Sequence, residues 1–183
     1  MDNTTFANEK ERRKFIMSEL VKNGWTEVDE EIFCDEKING KRPFRLDIMG
    51  RPPNCLHFVG IELKIYEGVR RGGKFFEALK QTLDYKGKHF KGKKIDIWVI
   101  DLYKENFSEW HDDTFRSSWI FMQSFLQKLG IGMLRGEDIV FMINDSKHIY
   151  HLNLIYSTNE TDWNAIYRRT LKTEMKIVEL EEE

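Results

Sequence analysis

Arg45-Leu46-Asp47-Ile48-Met49 and Val59-Gly60-Ile61-Glu62-Leu63-Lys64-Ile65 are two apolar segments, each interrupted by charge. Side chains alternate between faces along a strand. Glu62 and Lys64 therefore share one face, while Ile61, Leu63 and Ile65 take the other. Gly50-Arg51-Pro52-Pro53-Asn54 separates the segments and reads as a turn, because each proline removes a ladder donor. Together they predict a hairpin that gathers Asp47, Glu62 and Lys64 on one face, two carboxylates and an ammonium.

On the N-terminal side, residues from about Asn8 to Asn23 read as a helix with Ile16, Met17, Leu20 and Val21 as its apolar stripe and Gly24 as its stop. Trp25 to Phe33 is expected to be a first strand, although Trp25, Val28, Ile32 and Phe33 do not alternate cleanly. On the C-terminal side a helix is expected from about Lys74 to Lys86, followed by Ile95 to Leu102, an apolar run suited to a buried sheet position. Asp113 to Leu129 reads as an amphipathic helix carrying Phe115, Trp119, Ile120, Met122, Phe125 and Leu126. Ile139 to Ile143 and His148 to Tyr156 read as a hairpin around Asn144-Asp145-Ser146. Asp162 to about Leu180 is expected to close the chain as a helix. The order implies one α/β domain over residues 1–183, a mixed sheet flanked by helices.

Composition limits the function classes. At 183 residues the chain can build one substantial core. Its 40% hydrophobic and 33% charged residues suit a soluble globular protein, and no apolar run is long enough to cross a bilayer. The first residues lack a signal-peptide core, and Cys34 and Cys55 have no partner spacing, so free thiols and a cytoplasmic location are expected. The net charge of −2 hides an uneven distribution: from Lys64 to Lys94 there are ten Lys or Arg against three acids. Such a stretch is either the footprint of a phosphate backbone or a solvated lysine-rich surface.

Asp47, fifteen residues before Glu62-Leu63-Lys64, resembles the signature hairpin of the PD-(D/E)xK, restriction-endonuclease-like nuclease superfamily, and the element order resembles its αβββαβ core. Gln81-Thr82-Leu83-Asp84-Tyr85 is similar to the Q-x-x-x-Y motif of RecB-type members. The likeness covers about residues 9 to 102, with 103–183 as helical and hairpin additions. Leu46 stands where the family usually has proline. The resemblance implies a Mg2+-dependent deoxyribonuclease, with Mn2+ able to substitute. Asp47, Glu62 and the Leu63 carbonyl would be metal ligands, Lys64 would be catalytic, and Gln81 and Tyr85 would hold the site or the scissile strand. Arg70, Arg71 and Lys74 are candidate phosphate contacts. Glu9, Glu11 and Glu19 are available as the first-helix acid that the superfamily often adds, or are simply solvated.

The chemistry fits those residue types. A phosphodiester is shielded by negative oxygens, so a divalent cation is needed to neutralise developing charge and to lower the pKa of the attacking water. Magnesium prefers oxygen ligands. Gln81 and Tyr85, at i and i+4, are expected to share a polar helix face with Lys74 and Ala78, opposite a core side of Phe76, Leu79 and Leu83. Two other classes compete. One is a non-catalytic nucleic-acid-binding or interaction module of the same fold. The other is a nucleotide-binding P-loop at Gly68-Val69-Arg70-Arg71-Gly72-Gly73-Lys74 with Asp101 as its second acid, although Phe75 stands where Ser or Thr should ligate magnesium. A homodimer through the aromatic second half would let two sites cut two strands. No histidine pairs with cysteine at zinc-site spacing.

Overall fold

The computed structural model describes residues 6, 8–36, 44–65, 73–103, 125–126, 128–135, 138–142 and 149–153. Helix α1 spans Glu9–Lys22. It begins where the Asn8 side chain accepts the Glu11 N–H at 3.0 Å, with Glu9 and Glu11 in the first turn complementing the helix dipole. It ends at Asn23, whose side-chain amide donates to the Glu19 carbonyl, and Gly24 takes a left-handed φ of 78° that glycine adopts without strain.

Three strands follow, β1 (Thr26–Phe33), β2 (Arg45–Arg51) and β3 (Phe58–Ile65), each antiparallel to the next. The uneven pattern of β1 has a local cause: its pairing with β2 shifts register between Thr26 and Asp29, and Glu27 inside that bulge has φ of 52°. The turn between β2 and β3 lies two residues later than expected, because Gly50 and Arg51 still belong to β2 and β3 begins only at Phe58. Helix α2 (Gly73–Tyr85) leads to a two-residue strand, β4 (His89–Phe90), and then to β5 (Lys93–Tyr103). β5 lies parallel to both β3 and β6 (Ile131–Arg135), and β7 (Asp138–Met142) and β8 (Ile149–Asn153) complete the sheet as a hairpin. The strand order is β1-β2-β3-β5-β6-β7-β8, with β4 paired to β5. The chain is thus a mixed α/β structure with a mixed sheet, as the sequence implied. The short strands β4 and β6 were not anticipated. The segment expected to be helical from Asp113 to Leu129 is described only at 125, 126 and 128, which are helical, and at 129, a turn, and the expected tail helix lies outside the described residues.

The central position of β5 explains its apolar run: Ile97 and Val99 pack with Ile16 and Leu20 of α1, while Trp98, Ile100 and Leu102 pack with Phe75, Ala78 and Tyr85 of α2. Among the described residues, α1 therefore covers one face of the sheet and α2 packs on the other. Gly60 of β3 sits beside Trp98, and a Cβ there would lie 2.9 Å from both the Trp98 ring and Ile95. Only glycine lets the strands approach around that indole.

Two helix faces differ from the sequence reading. On α1 the buried set is Arg12, Arg13, Ile16, Glu19 and Leu20, and Val21 is exposed. On α2 the buried set is Phe75, Ala78, Leu79, Thr82 and Tyr85, while Phe76 and Leu83, expected in the core, are 56% and 41% exposed. Adjacent Phe75 and Phe76 offered two registers. The ring of Tyr85, stacked edge-on against Phe44 and Phe90 and tilted against Trp98, fixes the one that buries Phe75. Neither cysteine forms a disulfide and both are buried, and among the described residues no helix is long and apolar enough to cross a membrane.

Candidate functional site

The hairpin brings its charged residues together by leaving its ladder unfinished. β2 and β3 pair at Gly50–Val59, Met49–Gly60 and Ile48–Ile61, and one further step in that register sets Asp47 opposite Glu62. At that step the Leu63 N–H donates to Asp47 Oδ2 at 2.8 Å, so a side-chain carboxylate is the acceptor where a ladder would use a backbone carbonyl. Leu46 packs in the α2-side core and Ile48 in the α1-side core, although period two would put both on one face. β2 therefore changes its facing around Asp47. Across from it, Lys64 Nζ donates to Glu62 Oε1 at 2.8 Å, as two same-face residues of β3 can. Asp47, Glu62 and Lys64 are all buried. Glu62 is 1% exposed, and its Oε2 has no hydrogen-bond partner.

Burial sets the protonation of this cluster. Loss of hydration, joined by the negative charge of Asp47, pushes the Glu62 carboxyl up to about 8, and Lys64 only partly opposes them. Burial also raises Asp47, restrained by the Leu63 N–H and by Lys64. For Lys64, desolvation pulls down, but Glu62 outweighs it and holds the ammonium above its ordinary range. Of the three first-helix acids, Glu9 is the one whose charge reaches the cluster, acting on Asp47, Glu62 and Lys64 alike. Glu11 is exposed, and Glu19 is bound to Lys22 at the far end of α1.

Helix α2 closes the other side. Tyr85, in whose environment the charges of Glu62 and Asp47 are both felt, is buried and donates its hydroxyl to the Arg45 carbonyl at 3.0 Å. It thus ties α2 to the start of β2, two residues before Asp47. Burial raises the phenol well above its ordinary range. Gln81 is half-buried with Oε1 unpartnered, and next to it Thr82 is fully buried with its hydroxyl unpartnered. Lys74, in the first turn of α2, pairs with Glu77 at 3.2 Å, while Arg70 and Arg71 lie outside the described residues.

The sequence reading missed one residue here, Arg13. Arg13 Nη1 lies 3.6 Å from Asp47 Oδ1, while its Nε and Nη2 hold Glu30 and Glu31 at 2.7 and 3.0 Å. The neighbouring Arg12 is bound instead to Asp101 of β5 at 2.8 Å, a buried pair that fixes α1 across the sheet. That pairing commits Asp101, the acid the P-loop reading needs, and residues 68–72 of that motif lie outside the described residues. Of the histidines, His57 pairs with Asp96 and His89 with Glu36, and neither approaches the cluster through these contacts.

The donor set suits a hard divalent cation in kind: two buried carboxylates, one with an orphaned oxygen, both destabilised as anions by burial. In number it is short, since among the described residues no group of three or more His, Cys, Asp or Glu is arranged around one point. Backbone carbonyl, water and substrate oxygens would have to complete a shell. Magnesium sites commonly have one or two carboxylates and keep several waters. Compared with known protein families, curated proteins and solved structures, the chain finds no match in any of the three.

Proposed function

We propose that this chain is a metal-dependent deoxyribonuclease of the PD-(D/E)xK type. The observation that carries the reading is the orphaned Oε2 of Glu62, buried beside Asp47 and Lys64. A buried carboxylate oxygen with no donor is costly, and a cation supplied from solution satisfies it. An ordered shell at Asp47 and Glu62 would supply charge neutralisation and a water of lowered pKa.

The chain's own residues do the rest. The Leu63 N–H fixes Asp47 Oδ2, and Oδ1 would then be the atom offered to a metal. Glu62 would offer Oε2, with the Leu63 carbonyl as the third ligand that the resemblance implies. Lys64, held at Glu62 Oε1, has further ammonium hydrogens to donate to an attacking water or a phosphate oxygen. Tyr85 positions β2 through the Arg45 carbonyl, and Gln81 presents an unpartnered amide oxygen next to it. Lys74, with Arg70 and Arg71, would neutralise backbone phosphates without reading bases. Two such sites in a homodimer would cut both strands of a duplex.

One observation favours a second reading, a nucleic-acid-binding module without catalysis: the described side chains offer two carboxylates rather than three. Cleavage of linear, nicked, branched and single-stranded DNA in Mg2+ or Mn2+ separates the two readings. Wild type is expected to cut, and Asp47→Ala and Lys64→Ala are each expected to lose at least about 100-fold, the scale of a removed electrostatic or acid–base group. DNA binding with no cleavage in either metal would leave the module reading in place.

A further inference from the structure

The geometry points to Arg13 as the resident counter-cation of Asp47, a positioning residue that competes with divalent metal for Oδ1 and that Glu30 and Glu31 draw aside. The inference rests on the metal-site reading above and adds a control of that site.

Arg13 reaches from α1 to two strands at once. Its guanidinium is nearly buried and uses all three nitrogens: Nε on Glu30, Nη2 on Glu31 and Nη1 toward Asp47. The three distances are unequal. The bonds to the β1 acids are 2.7 and 3.0 Å, whereas the approach to Asp47 is 3.6 Å, an ion pair looser than a direct hydrogen bond. Glu31 is shared with Arg45 at 3.4 Å and sits at a positive φ of 50°, a backbone conformation uncommon for a non-glycine residue.

The consequence follows from the two oxygens of Asp47. Oδ2 is committed to the Leu63 N–H. Oδ1 faces Arg13 alone among the contacts seen at that carboxylate. A divalent cation at Asp47 must share Oδ1 with a positive charge fixed by two other acids. That charge holds the carboxylate in place before metal arrives, and it weakens the metal once bound. The stronger hold of Glu30 and Glu31 keeps the guanidinium from closing on Asp47.

The test is Mn2+ binding to the full chain, followed by the electron paramagnetic resonance of free Mn2+ and by calorimetry, with no nucleic acid present. Arg13→Gln is expected to bind Mn2+ at least about fivefold more tightly than wild type. Glu30→Gln is expected to weaken Mn2+ binding in wild type and to have a smaller effect in the Arg13→Gln background, since its effect runs through Arg13. Unchanged or weaker binding by Arg13→Gln overturns the competition, as does an equal effect of Glu30→Gln in both backgrounds. Absence of Mn2+ binding by wild type overturns the metal-site reading itself, and this inference with it. Glu30 and Glu31 are about 40% exposed, so water can replace the lost guanidinium. If Arg13→Gln nevertheless fails to fold, a crystal structure of wild type with Mn2+ decides. Separation of Arg13 from Asp47 beyond 4 Å with Glu30 still bound supports the proposal, and an unchanged 3.6 Å contact overturns it.

Discussion

A carboxyl group that is 1% exposed with one oxygen unpartnered works against folding whenever it is charged. Glu62 meets that cost by holding its proton up to about pH 8, against an ordinary value of 4.5. Between those values the folded chain keeps the proton and the unfolded chain has lost it. Stability from this group is therefore fully present below about 4.5, and it declines as pH rises to about 8. With metal withheld by a chelator, the thermal midpoint is expected to fall across that window, and Glu62→Gln should flatten the fall. An undiminished slope in Glu62→Gln would assign the pH dependence to other groups. At this scale the sequence was legible where period two applies: Glu62 and Lys64 share a face because they are two apart. Arg13 was not legible, because its role depends on which carboxylate a helix residue meets across the fold.

Helix α2 shows what an element's face decides. Its burial of Tyr85 makes that residue a strut between α2 and β2, whereas the sequence resemblance left it either holding the site or holding the scissile strand. Tyr85→Phe separates the two roles. Losing the hydroxyl is expected to cost about 1 kcal/mol of stability in chemical denaturation, the worth of one ordinary hydrogen bond, and to leave cleavage by the folded fraction within about threefold. A much larger drop in cleavage with little change in stability would put the hydroxyl on the substrate instead. β3 has its own constraint at Gly60, where a methyl group would press on Trp98 and Ile95 at 2.9 Å. Both of those atoms belong to core side chains, so Gly60→Ala should destabilise by about 1–3 kcal/mol, seen as an earlier denaturant midpoint with the slope unchanged. The helices and the long strands could be read from periodicity and stop signals. β6 could not, because Ile131-Gly132-Met133-Leu134-Arg135 is short and does not alternate, and it becomes a strand by pairing parallel to β5. Nor could the inner face of α2, where Phe75 and Phe76 are equivalent until the aromatic cluster chooses between them.

For the whole molecule, the cluster puts stability and activity in opposition. α1 is pinned by Arg12 to Asp101 in β5 and by Arg13 to β1 and β2, and α2 is pinned by Tyr85 to β2, so both helices report on the hairpin between them. A cation that binds only the folded state raises stability by mass action, about 2.7 kcal/mol at one hundred times its dissociation constant. For a chain of this length that is a rise of about 5–10 °C in the thermal midpoint. Wild type at pH 8 is expected to show such a rise in Mn2+ and to lose it on chelation. Glu62→Gln should behave in the opposite sense in both respects. Without metal at pH 8 it should melt higher than wild type, because it no longer buries a charge beside Asp47, and added Mn2+ should move it little, because the orphaned acceptor is now an uncharged amide. The same substitution would then remove cleavage while improving the apo fold, the trade expected where a site is strained for function rather than optimised for stability. A Glu62→Gln protein that melts lower than wild type without metal would mean that the Glu62–Lys64 pair is a structural ion pair, and the case for a metal there would fall with it.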